Sequence, residues 1–391
     1  MTRLLLSCDD YVYCHNSKYY TKPSLMPFYQ RYLRVFDKIR LVLRCREESI
    51  LNDNRVPIES NPNLEVVPLP FFQGPRGYAK VYFQVGKTMR DAVQGCDAAV
   101  LRIPSTVALR VGKLVKAADI PYACEVVFDA QDGWQGEHGI ARLLWKKIDR
   151  DMRYLCAGAD GVSCVTEHYL QQHYFPIKDM AFTSHYSSLA LPKEFYGSAK
   201  LYPNHSPFVI AHTANQVQFN GRKGFNQIID SLCILKKRGV KVKVRFAGED
   251  YDGGIEKLSR YAEGLGVRDM IEFEGFLSRK KLDTFLSESD LYVMPTTAEG
   301  LPRVIIEAMA KGLPCISTPV SGNPELVEGH FLVDYNDVKT LADRIEELVT
   351  NKSLYEATSN TNFENSLKYE ATVLQSRRDD FYNKLLERVR R

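Results

Sequence analysis

Two glutamates, Glu299 and Glu307, mark the stretch AEGLPRVIIEAMAKGLPCISTP at residues 298–319. Pro302 suits a first helical turn, Lys311 falls in a last turn, and Gly312 with Pro314 ends the run, which predicts a helix over 302–311. Glu299 then lies in the loop before the helix and Glu307 inside it. At 100° per residue, Ile305, Ala308 and Met309 make an apolar stripe, and Val304, Ile306 and Ala310 widen it around most of the circumference. The charges are confined to Arg303, Glu307 and Lys311, one narrow i, i+4 row. Two readings stay open. The row is a solvated edge on which Glu307 pairs with Arg303 and Lys311, or it lines a cleft; burial around the rest of the helix favours the cleft. At the helix start, the amides of Gly300 and Leu301 and the positive end of the macrodipole together make an anion site. A phosphate there would have Glu299 on one side and Glu307 roughly 7 to 8 Å along the axis on the other. Carboxylates accept hydrogen bonds from sugar hydroxyls, so one helix could hold sugar, diphosphate and ribose in order.

The elements that must position these residues alternate in type. Strand-like runs occur at 3–7, 39–44, 64–70, 98–103 and 122–128, with an amphipathic helix over 105–119. A second series follows: strands at 208–214, 242–248, 271–275, 291–295 and 315–319, and helices at 225–239, 255–266, 279–289 and 338–349. Such alternation predicts α/β domains with parallel sheets covered by helices. The stretch 189–207 carries three prolines and no sustained period, and reads as a linker. The length of 391 residues suits two domains, 1–190 and 207–365. A ligand of such a pair is expected outside the carboxyl ends of the strands.

Composition excludes several classes. With 52 basic and 48 acidic residues the net charge is only +4, which argues against a nucleic-acid partner. Nine cysteines without a C-x-x-C pair read as reduced thiols, and a cytoplasmic location is expected. The start, MTRLLLSCDD, lacks the pattern of a signal peptide, and no apolar run is long enough to cross a bilayer. Asp149-Arg150-Asp151 spells D-x-D, but within a helical pattern residues two apart point in different directions, so it reads as a solvated face and no metal is assigned. The aromatic and basic stretch 22–38 fits either packing or peripheral contact with the inner face of a membrane. For the basic tail 381–391 packing is favoured.

The run PTTAEGLPRVIIEAMAKGLPCISTPVSGNPELV (295–327) resembles the E-x7-E region of the GT-B glycosyltransferases of family 4, retaining enzymes that use nucleotide-sugar donors. The similarity extends to 100–129 and 159–176 on the acceptor side, and to 220–232, 244–250 and 271–295 on the donor side. It implies a GT-B architecture, two Rossmann-like domains facing across a cleft, with a final helix over 366–391 crossing back to the first domain. It further implies that Glu307 holds the ribose hydroxyls, that Glu299 holds the donor sugar, and that the amides of Gly300 and Leu301 face the sugar and diphosphate. Lys223 falls at the family's Lys-Gly position, where an ammonium would neutralise the diphosphate and assist its departure. Gly248, Phe276 and Leu277 fall at loop positions that approach the nucleotide. The implied reaction moves a sugar, from a UDP-sugar as first guess, to a hydroxyl of a glycan or lipid-linked saccharide, without a cofactor or required metal. Bacterial relatives of this shape build capsule, exopolysaccharide or O-antigen chains. A nucleotide-sugar 2-epimerase of the same fold, or an inactive sugar-nucleotide binding subunit, is the alternative.

The chain departs from the family pattern in three places. The Gly-Arg pair that ends the family's first donor-side strand is replaced by His212 and Thr213, so Lys223 carries more of the diphosphate, with Arg222 or Arg303 as substitutes. The Gly-rich loop after the first strand is replaced by CDDYVYCHNSKYYTKPS (8–24), which has no glycine. The histidine that projects toward the reacting sugar is absent from 126–133, where Asp129 or Asp132 is offered instead; Asp129 is chosen.

Overall fold

The computed structural model describes residues 1–52, 54–133, 139–189 and 191–390, and it divides into two compact units. The first comprises Met1–Tyr186 with Gln375–Arg391, the second Ser187–Leu374. Ala190, the expected end of the first domain, lies outside the described residues. The proline-bearing segment read as a linker belongs to the second unit. There Gly197 N–H donates to the Ala310 carbonyl at 2.9 Å and Lys200 N–H to Ser359 Oγ at 2.6 Å. Those bonds explain why a stretch without period is ordered. The last helix, Ala371–Val389, spans the division at 374/375.

The first unit is built on β1 (Arg3–His15), β2 (Lys18–Thr21), β3 (Lys38–Glu47), β4 (Val56–Pro57), β5 (Leu64–Pro70), β6 (Ala98–Ile103), β7 (Tyr122–Val126), β8 (Gly161–Cys164) and β9 (Phe182–His185). Seven strands are parallel in the order β5-β3-β1-β6-β7-β8-β9, and the order reverses between β1 and β6. β2 and β4 add an antiparallel flap to the end of β1. Residues 8–24 are therefore largely not a loop. β1 continues to His15, with a register shift between Ser7 and Tyr11 that absorbs the acidic pair Asp9-Asp10 in a bulge, and it turns at Asn16-Ser17 into β2. The two aspartates interrupt the apolar run that marks the strand, and the bulge lets the ladder resume beyond them.

The second unit has an all-parallel five-stranded sheet of β10 (Phe208–Gln216), β11 (Val242–Glu249), β12 (Ile271–Gly275), β13 (Leu291–Met294) and β14 (Cys315–Ser317), in the order β12-β11-β10-β13-β14. Leu291, Tyr292, Val293 and Met294 are all fully buried, as strands covered on both faces require. The order reverses between β10 and β13. Outside the carboxyl ends of those two strands is where such a sheet leaves a crevice for a ligand.

Both the stretch 22–38 and the basic tail contribute to the core. Tyr29, Tyr32 and Phe36 of the stretch 22–38 are core residues, as are Phe381, Tyr382 and Leu385 of the tail. At the D-x-D, Asp149 pairs with Arg153 at 3.0 Å, while Asp151 pairs with Lys113 at 2.8 Å and Lys147 at 2.7 Å. The two acids are apart, as the helical spacing requires, but the solvated-face reading is corrected: Asp151 is buried. Among the described residues, no helix is long and apolar enough to cross a membrane.

Candidate functional site

Two loops meet at the reversal point of the second sheet. Gly224, with φ +72°, caps the helix Phe225–Lys237, and a Cβ there would lie 2.1 Å from the Pro295 carbonyl oxygen. Only glycine lets the 221–224 turn settle against the end of β13. Thr297 N–H donates to the Arg222 carbonyl at 3.1 Å, which locks the contact. Lys223 is carried by that turn to Glu299, and its ammonium donates to the Glu299 carboxylate. Thr296 Oγ1 reaches the same carboxylate oxygen at 3.4 Å. The loop holding Glu299 is stitched to the loop after β14, where Gly322 N–H donates to the Gly300 carbonyl at 3.0 Å and Thr318 Oγ1 to the Thr296 carbonyl at 2.6 Å. Two residues 76 positions apart in sequence thus form one charged pair, both partly open to solvent.

The helix after Glu299 runs Arg303–Ala310 with Pro302 as its cap, and Ile305, Ile306, Ala308 and Met309 are fully buried. Glu307 is itself only 5% exposed. Its partner is neither Arg303 nor Lys311 but Arg279, whose guanidinium donates to the carboxylate from the first turn of the helix Arg279–Ser287. Lys311 is buried too, pairs with Asp283, and stands 4.3 Å from the centroid of the Phe195 ring. Arg279 stacks on the same ring at 4.4 Å. Of the two readings, the solvated edge with Glu307 paired to Arg303 and Lys311 is excluded: Glu307 and Lys311 are enclosed, and Arg303 is exposed. Burial raises the Glu307 pKa above the ordinary carboxylate value, with Arg279 and Arg303 opposing it. Arg279 was not singled out from the sequence, and nothing in SRKKL, 28 residues before Glu307, signals the pairing.

The remaining residues expected on the donor side differ in exposure. Leu301 is buried, and Gly300 is partly open. A Cβ on Gly248 would lie 2.6 Å from the Ala214 carbonyl oxygen, so close backbone approach at the ends of β10 and β11 accounts for that glycine. Phe276, 66% exposed, and the half-buried Leu277 follow β12 and precede Arg279. Arg222 is exposed beside Lys223. His212 is fully buried, donates from Nδ1 to the Val293 carbonyl at 2.8 Å, and is pushed down to about 4 by burial. A neutral ring inside the sheet does not replace a phosphate-binding arginine.

Asp129, in the first unit, is corrected. It is fully enclosed, caps the short helix Ala130–Gly133 by accepting from Gln131 N–H at 2.9 Å, and takes the Tyr174 hydroxyl at 2.8 Å. Its second oxygen meets His173 Nδ1 at 2.7 Å. The group of this pair that reaches solvent is His173, with its side chain 26% exposed. His173 lies 44 residues beyond Asp129, outside the segment 126–133.

Residues 215–364 match the family model described as Glycosyl transferases group 1. The structure is similar to the sucrose-phosphate synthase of Thermosynechococcus elongatus, with a TM-score of 0.69 at 15% identity over 99% of this chain and 100% of that one. It is also similar to Anabaena Alr3699/HepE in complex with UDP and glucose, with a TM-score of 0.67 at 16% identity over 97% and 99%. The fold is GT-B, and the second unit carries a glycosyltransferase domain. In sequence, this glycosyltransferase is 24% identical to Protein CapJ of Staphylococcus aureus over 96% of this chain and 94% of that protein. It is 32% identical to the putative colanic acid biosynthesis glycosyltransferase WcaL of Escherichia coli, over 32% of each chain. The Lys223–Glu299 pair and the Arg279–Glu307 pair both fall inside the matched region.

Proposed function

We propose that this glycosyltransferase is a retaining enzyme of family 4, which moves a sugar from a nucleoside diphosphate donor to a hydroxyl of a glycan or lipid-linked saccharide in the cytoplasm. The observation that carries the reading is the Lys223–Glu299 pair at the strand reversal, beside the buried carboxylate of Glu307. Glu307 stands on a buried helix, and the loop of Glu299 is tied by hydrogen bonds to the turn before Lys223 and to the loop after β14. The donor's ribose hydroxyls replace Arg279 on Glu307, and the sugar hydroxyls bond Glu299. Charge separates as the anomeric carbon–oxygen bond breaks, and the Lys223 ammonium with the amides of Gly300 and Leu301 stabilises the departing diphosphate. No metal is required, because those groups supply the positive charge. Similarity to Alr3699/HepE, solved with UDP-glucose, supports a UDP-sugar as first choice. The names of WcaL and of the amylovoran biosynthesis glycosyltransferase AmsK of Erwinia amylovora support a bacterial surface polysaccharide as the setting.

Thermal-shift screening against UDP-, GDP- and other nucleotide sugars identifies the donor, because only the bound nucleotide stabilises the fold by mass action. Turnover of that donor with an acceptor then yields an α- or β-glycoside of unchanged anomeric configuration. Formation of an epimer without a glycoside, or of an inverted product, contradicts the proposal.

A further inference from the structure

A second cluster of ligating groups stands in the first unit, away from the residues assigned to the donor. Cys14 of β1 and Cys45 and Glu47 of β3 bring two sulfur atoms and a carboxylate oxygen within 4.8 Å of one another. The parallel register explains the convergence. Val12 pairs with Cys45 and Cys14 with Glu47, so all three side chains leave the same face of the sheet. Arg44 and Arg46, alternating with them on β3, leave the opposite face. There Arg44 donates to the Asp9 and Phe72 carbonyls, and Arg46 lies 5.8 Å from the centroid of Phe71. The basic residues of the strand are thus turned away from the thiols. Tyr19, paired with Cys14 across the β1–β2 hairpin, shares the thiol face. The cluster sits at the carboxyl ends of β1 and β3, the edge where a parallel sheet leaves its crevice.

Two thiols this close also suggest a disulfide, and the register argues against it. Cys14 and Cys45 are diagonal, two residues out of step on neighbouring strands. Strand spacing and rise separate their Cα atoms by roughly 8 Å, beyond the reach of a disulfide without backbone movement. A metal ion spans that gap. Tetrahedral zinc with sulfur at about 2.3 Å sets neighbouring sulfurs about 3.8 Å apart, which lies within the 4.8 Å that bounds the three ligand atoms. Two thiolates and a carboxylate form a borderline-soft donor set suited to Zn²⁺ rather than to Mg²⁺ or Ca²⁺.

We propose that Cys14, Cys45 and Glu47 form a zinc site with three protein ligands and one open position, which ties the extended end of β1 to β3. Binding replaces the two thiol protons with the metal and releases both to solvent. This site takes no part in the leaving of the diphosphate, and its test does not depend on glycosyl transfer.

The reduced, chelator-stripped full chain is titrated with Zn²⁺ in competition with a chromogenic chelator. The expected result is one ion per chain, with affinity about 100-fold weaker in Cys45→Ser and about 10-fold weaker in Glu47→Gln, whose side chain is exposed. Cys14 is buried and its replacement puts folding at risk, so a second measurement uses the unaltered chain. Zinc should slow alkylation of Cys45 and leave Cys233, a partly exposed thiol in the second unit, unchanged. Affinity that is the same in both variants, equal protection of Cys45 and Cys233, or a Cys14–Cys45 disulfide in the unreduced chain overturns the proposal.

Discussion

Two buried glutamates, Glu125 in the first unit and Glu307 in the second, show how the same side chain serves different ends. Glu125 sits in β7 and accepts from Arg31 and Arg102 at 3.0 Å each, and from the hydroxyls of Tyr32 at 3.1 Å, Tyr186 at 3.0 Å and Tyr382 at 2.5 Å. Burial pushes its pKa up, but the two guanidiniums and the hydroxyls overcome that and hold it down to about 2. Glu307 has one guanidinium partner, half exposed, and its pKa is raised. A buried carboxylate whose partners are all internal is structural; one held by a single side chain that can swing into solvent is open to a ligand. Tyr382 belongs to the last helix, so Glu125 also fastens that helix to the sheet of the first unit.

Mutation should separate the two. Glu125→Ala leaves Arg31 and Arg102 facing each other in the core and should cost about 3–5 kcal/mol of stability in denaturant unfolding. A loss below about 1 kcal/mol would remove the contrast. Since the folded pKa of Glu125 lies below its ordinary 4.5, its stabilisation is complete above pH 4.5 and is lost as pH falls toward 2. The stability gap between the natural chain and Glu125→Gln should narrow over that window. Next in size, Lys223→Ala should lower kcat by about 100- to 1,000-fold, the scale of one lost donor to a leaving anion, with the melting temperature little changed. An unaltered kcat would release Lys223 from the diphosphate. Smallest is Arg279→Ala: removal of the guanidinium changes donor affinity by a few-fold, about 1 kcal/mol or less, since the donor's ribose must displace it anyway. A loss as large as that from Lys223→Ala would make Arg279 a donor ligand in its own right.

Much of this was legible in the sequence for a physical reason. All five strands of the second sheet stand out because strands buried on both faces read as continuous apolar runs between helical periods. The Lys-Gly turn and the E-x7-E stretch were visible because their spacing is local. What stayed hidden depends on long-range placement or on breaks in pattern. The pairing of Glu307 with Arg279, the enclosure of Asp129 by His173 and Tyr174, and the ladder of β1 beyond Asp9-Asp10 leave no local periodic trace. The strands β8 (GVSC) and β9 (FTSH) mix small and polar residues with apolar ones, so neither shows a continuous apolar run.

The central claim is that Glu307 holds the donor rather than the fold, and calorimetric titration of its nucleotide into the natural chain and Glu307→Gln tests it directly. The account predicts affinity weakened about 10- to 100-fold, a loss of about 1.4 to 2.8 kcal/mol. The melting temperature at neutral pH should be unchanged or higher in the variant. Its raised pKa means that ionised Glu307 lowers stability as pH rises through that value, a penalty the amide removes and one that is absent below pH 4.5. Equal affinity in the two proteins, or weaker binding that only follows a fall in melting temperature, would contradict it.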